Sequence, residues 1–226
     1  SNFKYLKSDI NNAWFEITIN NLTYSIATGG LHSQDVPRVL ISTWDGASSF
    51  TGETVKRNNE NINNSNFVYV HYDISSFYPS IMAKYEIGPE HLNIHIFSKL
   101  IRWLRDTRIE AKHSKQDIID GIPKNILAEA LKIVINSIYG KLGFAYGDLC
   151  DRLAVLKVTI NGQLMIMMLC EELELNGIEI VSANTDGIVV KLFENKVETF
   201  KAITEQWQKD TRLSADSEYY KIYACR

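Results

Sequence analysis

The sequence predicts an α+β fold in which an antiparallel sheet is backed by helices and a helical hairpin is inserted into the chain. Three observations indicate this. The unbroken apolar and aromatic run at 67–72 is typical of a buried strand. Two β-rich segments, 177–183 and 188–193, flank a four-residue turn, which predicts a paired hairpin. Apolar residues recur at spacings of three and four from about 90 to 115 and from 123 to 139, which predicts two consecutive helices.

Composition limits the classes of protein that fit. The 226 residues are 45% hydrophobic and 11% aromatic, enough for one large domain or a domain with an inserted subdomain. The formal net charge is −3, so nucleic-acid binding would require positive charge that is concentrated locally. No apolar run approaches the ~18 residues of a membrane span, and no signal-peptide pattern opens the chain. The three cysteines lack metal-ligand spacing. We therefore expect a cytoplasmic protein with reduced thiols and no membrane partner.

The N-terminal part contains weaker signals. Loose alternation of apolar and polar residues at 13–26 predicts a hairpin, with Asn20-Asn21 at its turn. Gly29-Gly30 follows in a turn where backbone can approach a ligand closely. Residues 36–44 are interpreted as a further strand. The asparagine-rich stretch 54–66 has almost nothing to bury and is interpreted as an exposed loop.

The two central helices carry polar faces that could serve a site. Arg105, Arg108 and Lys112 are spaced three and four apart and line one side of the first helix. In the second helix, an apolar stripe runs through Leu127, Leu131, Val134, Ile135 and Ile138. Lys132, Asn136 and Tyr139 lie on the other side, which periodicity alone does not distinguish from an ordinary solvated face. We expect this helix to stop at Gly140 and Gly143.

The C-terminal part is expected to hold two more helices and a strand. Residues 159–176 are apolar on every side, which predicts a buried helix with its methionines as core filler. The pattern at 195–211 predicts an amphipathic helix, and a strand is expected from Tyr219 onward.

Two carboxylates stand at the ends of predicted strands. Asp73 follows the 67–72 run, and Pro79 pushes Tyr78 toward an extended conformation, so backbone N–H groups from Ser75 to Tyr78 are expected to face an anion. A capping role for Asp73 fits this stretch about equally well. Asp186 lies in the second turn, where Gly187 tolerates a positive φ, and an isolated turn-forming role is the plainer interpretation.

Taken in order and spacing, three stretches resemble the polymerase motifs of the family B (alpha-like) DNA polymerases, in particular their phage and plasmid branch. Asp73 to Ile81 matches Asp-x-x-Ser-Leu-Tyr-Pro-Ser-Ile, with Phe77 in place of Leu. The second motif, Lys-x-x-x-Asn-Ser-x-Tyr-Gly, is met in full from Lys132 to Gly140. Of the third, Tyr-x-Asp-Thr-Asp-Ser, this chain keeps Thr185 and Asp186. The resemblance spans about residues 28 to 190.

The resemblance implies a polymerase palm at 1–89 and 144–226, with a helical-hairpin fingers subdomain at 90–143. An exonuclease domain and a thumb are expected outside these residues, so the isolated chain is expected to bind duplex weakly or to be inactive alone. The implied function is template-directed DNA synthesis from deoxynucleoside triphosphates on a primer. The residues do not decide whether a protein, RNA or DNA end serves as the primer.

The resemblance also implies a role for each motif residue. Asp73 and Asp186, with the Ile74 carbonyl, would hold two Mg²⁺ ions, for which Mn²⁺ could substitute. Asn184 removes one acidic charge from the family pattern and is expected to weaken metal affinity, with Thr185 beside it in a supporting role. Donors for the triphosphate are expected from Ser76, Phe77, Tyr78, Arg108, Lys112, Lys132 and Asn136. Tyr78 would exclude a ribose 2′-hydroxyl. Contacts with template or nascent base pair are expected from Gly29, Gly30, Tyr139 and Gly140.

Two other interpretations remain open from the residues. A catalytically degenerate polymerase-like module, kept for binding DNA or a replication partner, fits Asn184 and Gly187. A reverse-transcriptase-like palm also uses carboxylates on a hairpin, but it needs adjacent aspartates in the turn, which Asn184-Thr185-Asp186 does not supply. Nucleotide incorporation would separate the first of these from a polymerase.

Overall fold

The computed structural model of this protein describes residues 15–19, 22–26, 29–33, 39–43, 66–220 and 222–224. The chain divides into two compact units, one formed by 1–75 with 163–226 and the other by Ser76–Gly162. Helices and antiparallel strands occur together, which confirms the predicted α+β class. The division into palm and fingers at 89 and 143 remains a prediction.

Most of the described strands belong to the first unit, and one short hairpin belongs to the second. In chain order the strands are β1 Phe15–Ile19, β2 Leu22–Ile26, β3 His32–Ser33, β4 Val39–Ile41, β5 Phe67–Ile74, β6 Ile118–Ile119, β7 Ile122–Pro123, β8 Glu179–Ala183, β9 Gly187–Phe193, β10 Ala215–Tyr220 and β11 Ile222–Ala224. The predicted hairpin at 13–26 is confirmed by the β1–β2 pairing, although its turn lies outside the described residues. Of the strand expected at 36–44, β4 is described. The asparagine-rich stretch 54–66 lies outside the described residues except Asn66.

Five α-helices lie within the described residues. They are α1 Phe77–Lys84, α2 Ile94–His113, α3 Lys124–Leu142, α4 Arg152–Leu175 and α5 Val197–Thr211. The existence of α1 corrects the expectation that Tyr78 is extended: Pro79 lies in the first turn of the helix, where the N–H that it lacks would have no intrahelical acceptor. Helix α3 continues through Gly140 and ends at Leu142, so the stop expected at Gly143 is confirmed and the one expected at Gly140 is wrong.

The main sheet of the first unit is antiparallel, with strand order β10-β5-β9-β8. One face of its central strand β5 is buried through Val68, Val70, Tyr72 and Ile74. The ring of Tyr72 packs against Phe200 and Trp207 of α5, with ring centroids 5.9 and 6.3 Å apart. The indole N–H of Trp207 donates to the carbonyl of Met165 in α4 at 2.8 Å. These contacts place the helices against one side of the sheet and leave Asp73 on the other side.

Helix α4 corrects two expectations. It begins at Arg152, earlier than predicted, and it is not buried on every side: Ile160, Leu164 and Met168 are exposed while Ile166 and Leu169 are buried. By length and composition alone it is apolar enough to cross a membrane, a test that the core helix of a soluble protein also passes. In this protein 44% of its most apolar stretch is buried. The sequence contains no unbroken apolar run of this length, because Lys157, Asn161 and Gln163 interrupt it. The absence of a membrane partner therefore remains a prediction.

In the second unit, Asp151 joins the start of α4 to the segment before α2. Its carboxylate accepts from the N–H of Ala154 and from the N–H of Glu90, both at 2.9 Å. Burial raises the pKa of Asp151, but the backbone N–H donors and the charge of Lys157 outweigh burial, so the net pKa lies below the ordinary value. The ionised carboxylate is thus favoured by the fold.

Two smaller predictions have different outcomes. Cys150 and Cys170 are free thiols, whereas Cys225 lies outside the described residues.

Arg105 does not join Arg108 and Lys112 in an exposed cationic stripe, because its side chain is buried and its guanidinium donates to Asp106 at 2.6 and 2.8 Å. An arginine in a partly buried position needs such a partner.

Candidate active site

The two predicted catalytic carboxylates come from neighbouring strands of the first unit. Asp73 is half-buried near the end of β5, and Asp186 is exposed in the turn that precedes β9. In the β5–β9 register, Asp73 lies opposite Gly187. The N–H of Ile74 donates to the carbonyl of Asp186 at 2.8 Å. The fold therefore brings both carboxylates to the same end of the sheet.

Residues 184–187, called here the Asp186 turn, are organised by the side chain of Asn184. Its Oδ1 accepts from the N–H of Gly187 at 2.8 Å and from the N–H of Asp186 at 3.3 Å. The N–H of Asn184 donates in turn to the carbonyl of Gly187 at 2.9 Å. An aspartate could accept the same two bonds. The turn therefore keeps its geometry with asparagine, and what the substitution removes is a negative charge.

Gly187 is required for a reason that the sequence did not reveal. Among the described residues the glycines with positive φ are Gly121 and Gly177, so the tolerance of Gly187 for a positive φ is not what this turn uses. Gly187 is buried, and a Cβ there would lie 2.8 Å from the carbonyl oxygen of Tyr72 and 3.1 Å from Nε2 of His71. Its identity is therefore set by the close approach of β5.

A third carboxylate was missed by sequence reasoning. Asp216 in β10 lies directly opposite Asp73 in the β10–β5 register, and paired residues in a sheet point to the same face. The hydroxyl of Ser75 donates to Oδ2 of Asp216 at 3.5 Å. The strand that carries Asp216 begins at Ala215, whereas the sequence pattern indicated a strand only from Tyr219. The sequence pattern missed the first part of this strand because residues 216–218 are all polar and show no alternation with apolar residues.

The donor set fits a divalent cation in type. Within the described residues, no group of three or more His, Cys, Asp or Glu side chains has the geometry to hold a metal ion. Magnesium, however, needs one or two protein carboxylates together with phosphate and water oxygens. Asp73 and Asp186 can supply these carboxylates, with Asp216 adding negative charge beside them. The role expected for the Ile74 carbonyl remains a prediction.

The second unit carries the residues predicted to bind nucleotide. Ser76 precedes α1 with a left-handed backbone, φ 48° and ψ 50°, which is unusual for a residue other than glycine. Its hydroxyl accepts a hydrogen bond from Nη1 of Arg108. The N–H of Ser75, expected to face an anion, instead donates to the carbonyl of Ser214 at 2.8 Å. Phe77 begins α1, in the first turn, where a helix provides no intrahelical acceptor for the backbone N–H.

Two tyrosines from different motifs meet in this unit. The ring of Tyr78 in α1 lies against that of Tyr139 in α3, with centroids 4.7 Å apart. On the same helix, Phe77 stacks with Tyr78 at 5.6 Å. Burial raises the pKa of Tyr139 to about 12, so its hydroxyl stays protonated at neutral pH. The first two motifs are therefore joined by an aromatic contact that the spacing in the sequence could not show.

The remaining predicted contacts differ in exposure. Arg108 is half-buried, and its Nε is buried without a hydrogen-bond acceptor among the described residues. Lys112 and Asn136 are exposed, as is Lys132, which lies 4.0 Å from the carboxylate of Glu129. Gly140 is exposed within α3, and a Cβ there would meet no described atom within 4 Å. This unit thus provides a half-buried guanidinium and exposed amide and ammonium groups for an anionic ligand.

Comparisons with known proteins show which proteins the chain is similar to. A family model described as DNA polymerase family B matches residues 53–212 of the chain. A DNA polymerase of Thermococcus sp. (strain 9oN-7) is 28% identical over 169 residues, which cover 64% of this chain and 22% of that protein. DNA polymerase 2 of Aeropyrum pernix is 24% identical over 180 residues, 67% of this chain and 22% of that protein. The chain thus spans about a fifth of the length of these relatives.

A solved structure shows the same fold. The family B DNA polymerase from the hyperthermophilic archaeon Pyrobaculum calidifontis has a TM-score of 0.51 at 20% identity, covering 69% of this chain and 24% of that chain. These three similar proteins are archaeal, so they do not support the expected phage and plasmid branch. Since the family model matches more than half of the chain and includes the motifs of Asp73, Lys132 and Asp186, this chain belongs to DNA polymerase family B.

Proposed function

We propose that this chain carries the nucleotidyl-transfer site of a DNA-directed DNA polymerase, which adds deoxynucleotides to a primer 3′ end on a DNA template. The observation that carries the proposal is the backbone hydrogen bond from the N–H of Ile74 to the carbonyl of Asp186 at 2.8 Å, which brings the residues that bear the two carboxylates, Asp73 and Asp186, to the same end of the sheet. Two acidic side chains on adjacent strand ends are the protein ligands that divalent-ion phosphoryl transfer needs.

The proposed roles follow from the chemistry of each group. Asp73 and Asp186 bind two divalent ions, Mg²⁺ or Mn²⁺. When bound, such ions lower the pKa of the attacking hydroxyl and stabilise charge on the leaving oxygen. Asp216 increases the negative charge of this end of the sheet. Asn184 holds the turn without adding charge, so the proposed site requires more Mg²⁺ than a site with aspartate there.

The anionic triphosphate is bound by donors of the second unit. Arg108 is positioned by its hydrogen bond to Ser76 and offers a planar guanidinium. Lys112 and Lys132 add flexible ammonium groups, and Asn136 offers an amide donor. Tyr78, supported by Tyr139, limits space at the sugar and thereby favours deoxyribonucleotides.

The proposal also includes a palm at 1–89 and 144–226, fingers at 90–143, a cytoplasmic location, membership of the phage and plasmid branch, and template contacts from Gly29, Gly30 and Gly140. Primer–template DNA and deoxynucleoside triphosphates are the proposed partners. The chain's own residues leave the kind of primer open.

Primer extension on a short primer–template tests the proposal with the protein as its gene encodes it. We expect Asp186→Asn and Asp73→Asn each to reduce the rate about a hundredfold or more, since metal stabilisation is worth several kcal/mol and ~1.4 kcal/mol changes a rate tenfold. Asp210→Asn is the matched control, because Asp210 is an exposed aspartate at the end of α5 that is bonded to Gln206. Its rate should equal that of the unmodified protein.

The outcomes separate the proposal from the degenerate module. Extension that is lost with either aspartate and kept in the control supports the polymerase. If the protein binds Mn²⁺ and DNA but incorporates no nucleotide under any metal condition, the polymerase proposal is wrong and the binding module replaces it.

A further inference from the structure

The segment 29–33 is fixed against the strand that leads into the Asp186 turn. The hydroxyl of Ser33 accepts from the N–H of Ala183, the last residue of β8, at 2.9 Å. At the other end of the segment, the buried side chain of Gln163 in α4 donates from Nε2 to the carbonyl of Gly29 at 2.8 Å. Between these anchors, Leu31 is fully buried. The segment is therefore bonded on one side to a core helix and on the other to the hairpin.

Gly30 touches the turn itself. A Cβ built on Gly30 would lie 2.0 Å from Oγ1 of Thr185, 2.7 Å from its Cβ and 2.8 Å from its Cγ2. Rotation of the short, branched threonine side chain cannot relieve this overlap, because the Thr185 Cβ remains in place. Any side chain at position 30 must therefore displace the turn or the segment.

The neighbouring structure explains why the turn needs this support. Strand β8 lies at the edge of the main sheet, and its register with β9 shifts between Ile180 and Ser182. Edge strands and irregular registers give less constraint than central pairing. The Asp186 turn is held on the β5 side by the Ile74–Asp186 hydrogen bond, and the 29–33 segment holds its Thr185 side.

We infer that Gly30, anchored through Gln163, is a positioning residue for the Asp186 carboxylate, an inference that rests on the proposed polymerase function. The segment acts through Thr185, which immediately precedes Asp186 in the chain. This role differs from the template contact expected for Gly29 and Gly30, because it predicts a change in metal dependence rather than in DNA affinity.

Four variants test the inference in the protein as encoded: Gly30→Ala, Gly29→Ala, Thr185→Gly and the double variant Gly30→Ala with Thr185→Gly. Gly29→Ala is the matched control, since it adds the same methyl group where no described atom lies within 4 Å. It can weaken template binding but should leave the Mn²⁺ dependence unchanged. The double variant removes all three threonine atoms that the new methyl group would meet.

The readouts distinguish positioning from a purely structural role. For Gly30→Ala we expect kcat to fall about ten- to a hundredfold, since ~1 Å of misplacement costs about a hundredfold. Its KM for primer–template should change less than about twofold. Mn²⁺ affinity, measured by electron paramagnetic resonance without DNA, should weaken in parallel. The double variant should regain most of the lost rate, and the effects of Gly30→Ala and Thr185→Gly on the unfolding temperature should be non-additive in the double variant.

Gln163→Met is an independent variant in case Gly30→Ala fails to fold. It keeps the length of the buried side chain but removes the donor to Gly29, and it should raise the Mn²⁺ requirement in the same direction. If Gly30→Ala behaves as Gly29→Ala does, or if Thr185→Gly restores nothing, the inference is wrong. If the unmodified protein does not extend primers, the polymerase proposal fails, while Mn²⁺ affinity and non-additive unfolding still decide the positioning role.

Discussion

The substitution Gly187→Ser tests whether the close approach of β5 is the reason that this position holds a glycine. Serine is the residue that the third polymerase motif has at this position, so the change would make the chain more like its family. In this structure, however, the new Cβ would lie 2.8 Å from the carbonyl oxygen of Tyr72, 3.1 Å from Nε2 of His71 and 3.4 Å from Cα of Asp73. The first of these contacts is with backbone in the central strand.

The size of the effect follows from that contact. Added atoms in a packed interior typically cost about 1–3 kcal/mol. In a chain of this length, 1 kcal/mol lowers the unfolding temperature by about 2–4 °C, so we expect a decrease of about 2–12 °C. Because β5 must shift where it carries Asp73, the extension rate should also fall, by about ten- to a hundredfold for ~1 Å of displacement.

Differential scanning calorimetry and primer extension together measure both effects. Gly187→Ala separates the clash from the chemistry of the hydroxyl group, because it adds the same Cβ without the oxygen, and it should lose nearly as much stability. Gly29→Ala, in open space, should unfold near the temperature of the unmodified protein. If Gly187→Ser is as stable as the parent and extends primers faster, the steric argument is refuted, and the glycine lowers the activity of the site without being needed for its packing.

Three further predictions concern charge, helix propensity and pH. Asn184→Asp should keep the turn and lower the Mg²⁺ concentration needed for half-maximal extension, by up to about fivefold, since exposed charges interact by about 0.2–1 kcal/mol. Gly140→Ala should raise stability by about 0.5–1 kcal/mol in calorimetry, because alanine favours a helix and the methyl group meets no described atom, while weakening template affinity. Asp151→Asn should lower the unfolding temperature at neutral pH, and this difference should vanish as pH falls below 3.8, through the lowered pKa of Asp151.

Each of these has an outcome that would contradict it. An unchanged Mg²⁺ requirement in Asn184→Asp would mean that the turn residue does not influence the metal. For Gly140→Ala, higher stability with unchanged DNA affinity would remove Gly140 from the template contacts. A stability difference for Asp151→Asn that persists at pH 2 would show that the carboxylate acts by shape and not by its charge.

The sequence by itself determined the local structure and the first two carboxylates. Periodicity predicted α2, α5 and the β8–β9 pair because side-chain burial repeats with the helical or strand period. Asp73 and Asp186 could be proposed because each ends a strand in a recognisable motif. Helix α1 was missed because proline disfavours helix at the preceding residue in general, whereas Pro79 lies in a first turn that tolerates it.

Only the tertiary structure decided which residues meet across the sheet. Strand register, which local pattern does not encode, placed Asp216 opposite Asp73 and left no space for a side chain at Gly187. Contacts between residues far apart in the chain joined Gly30 to Thr185 and Gln163 to Gly29. These features depend on distances between segments separated by more than a hundred residues, and such distances are set when the elements pack against one another.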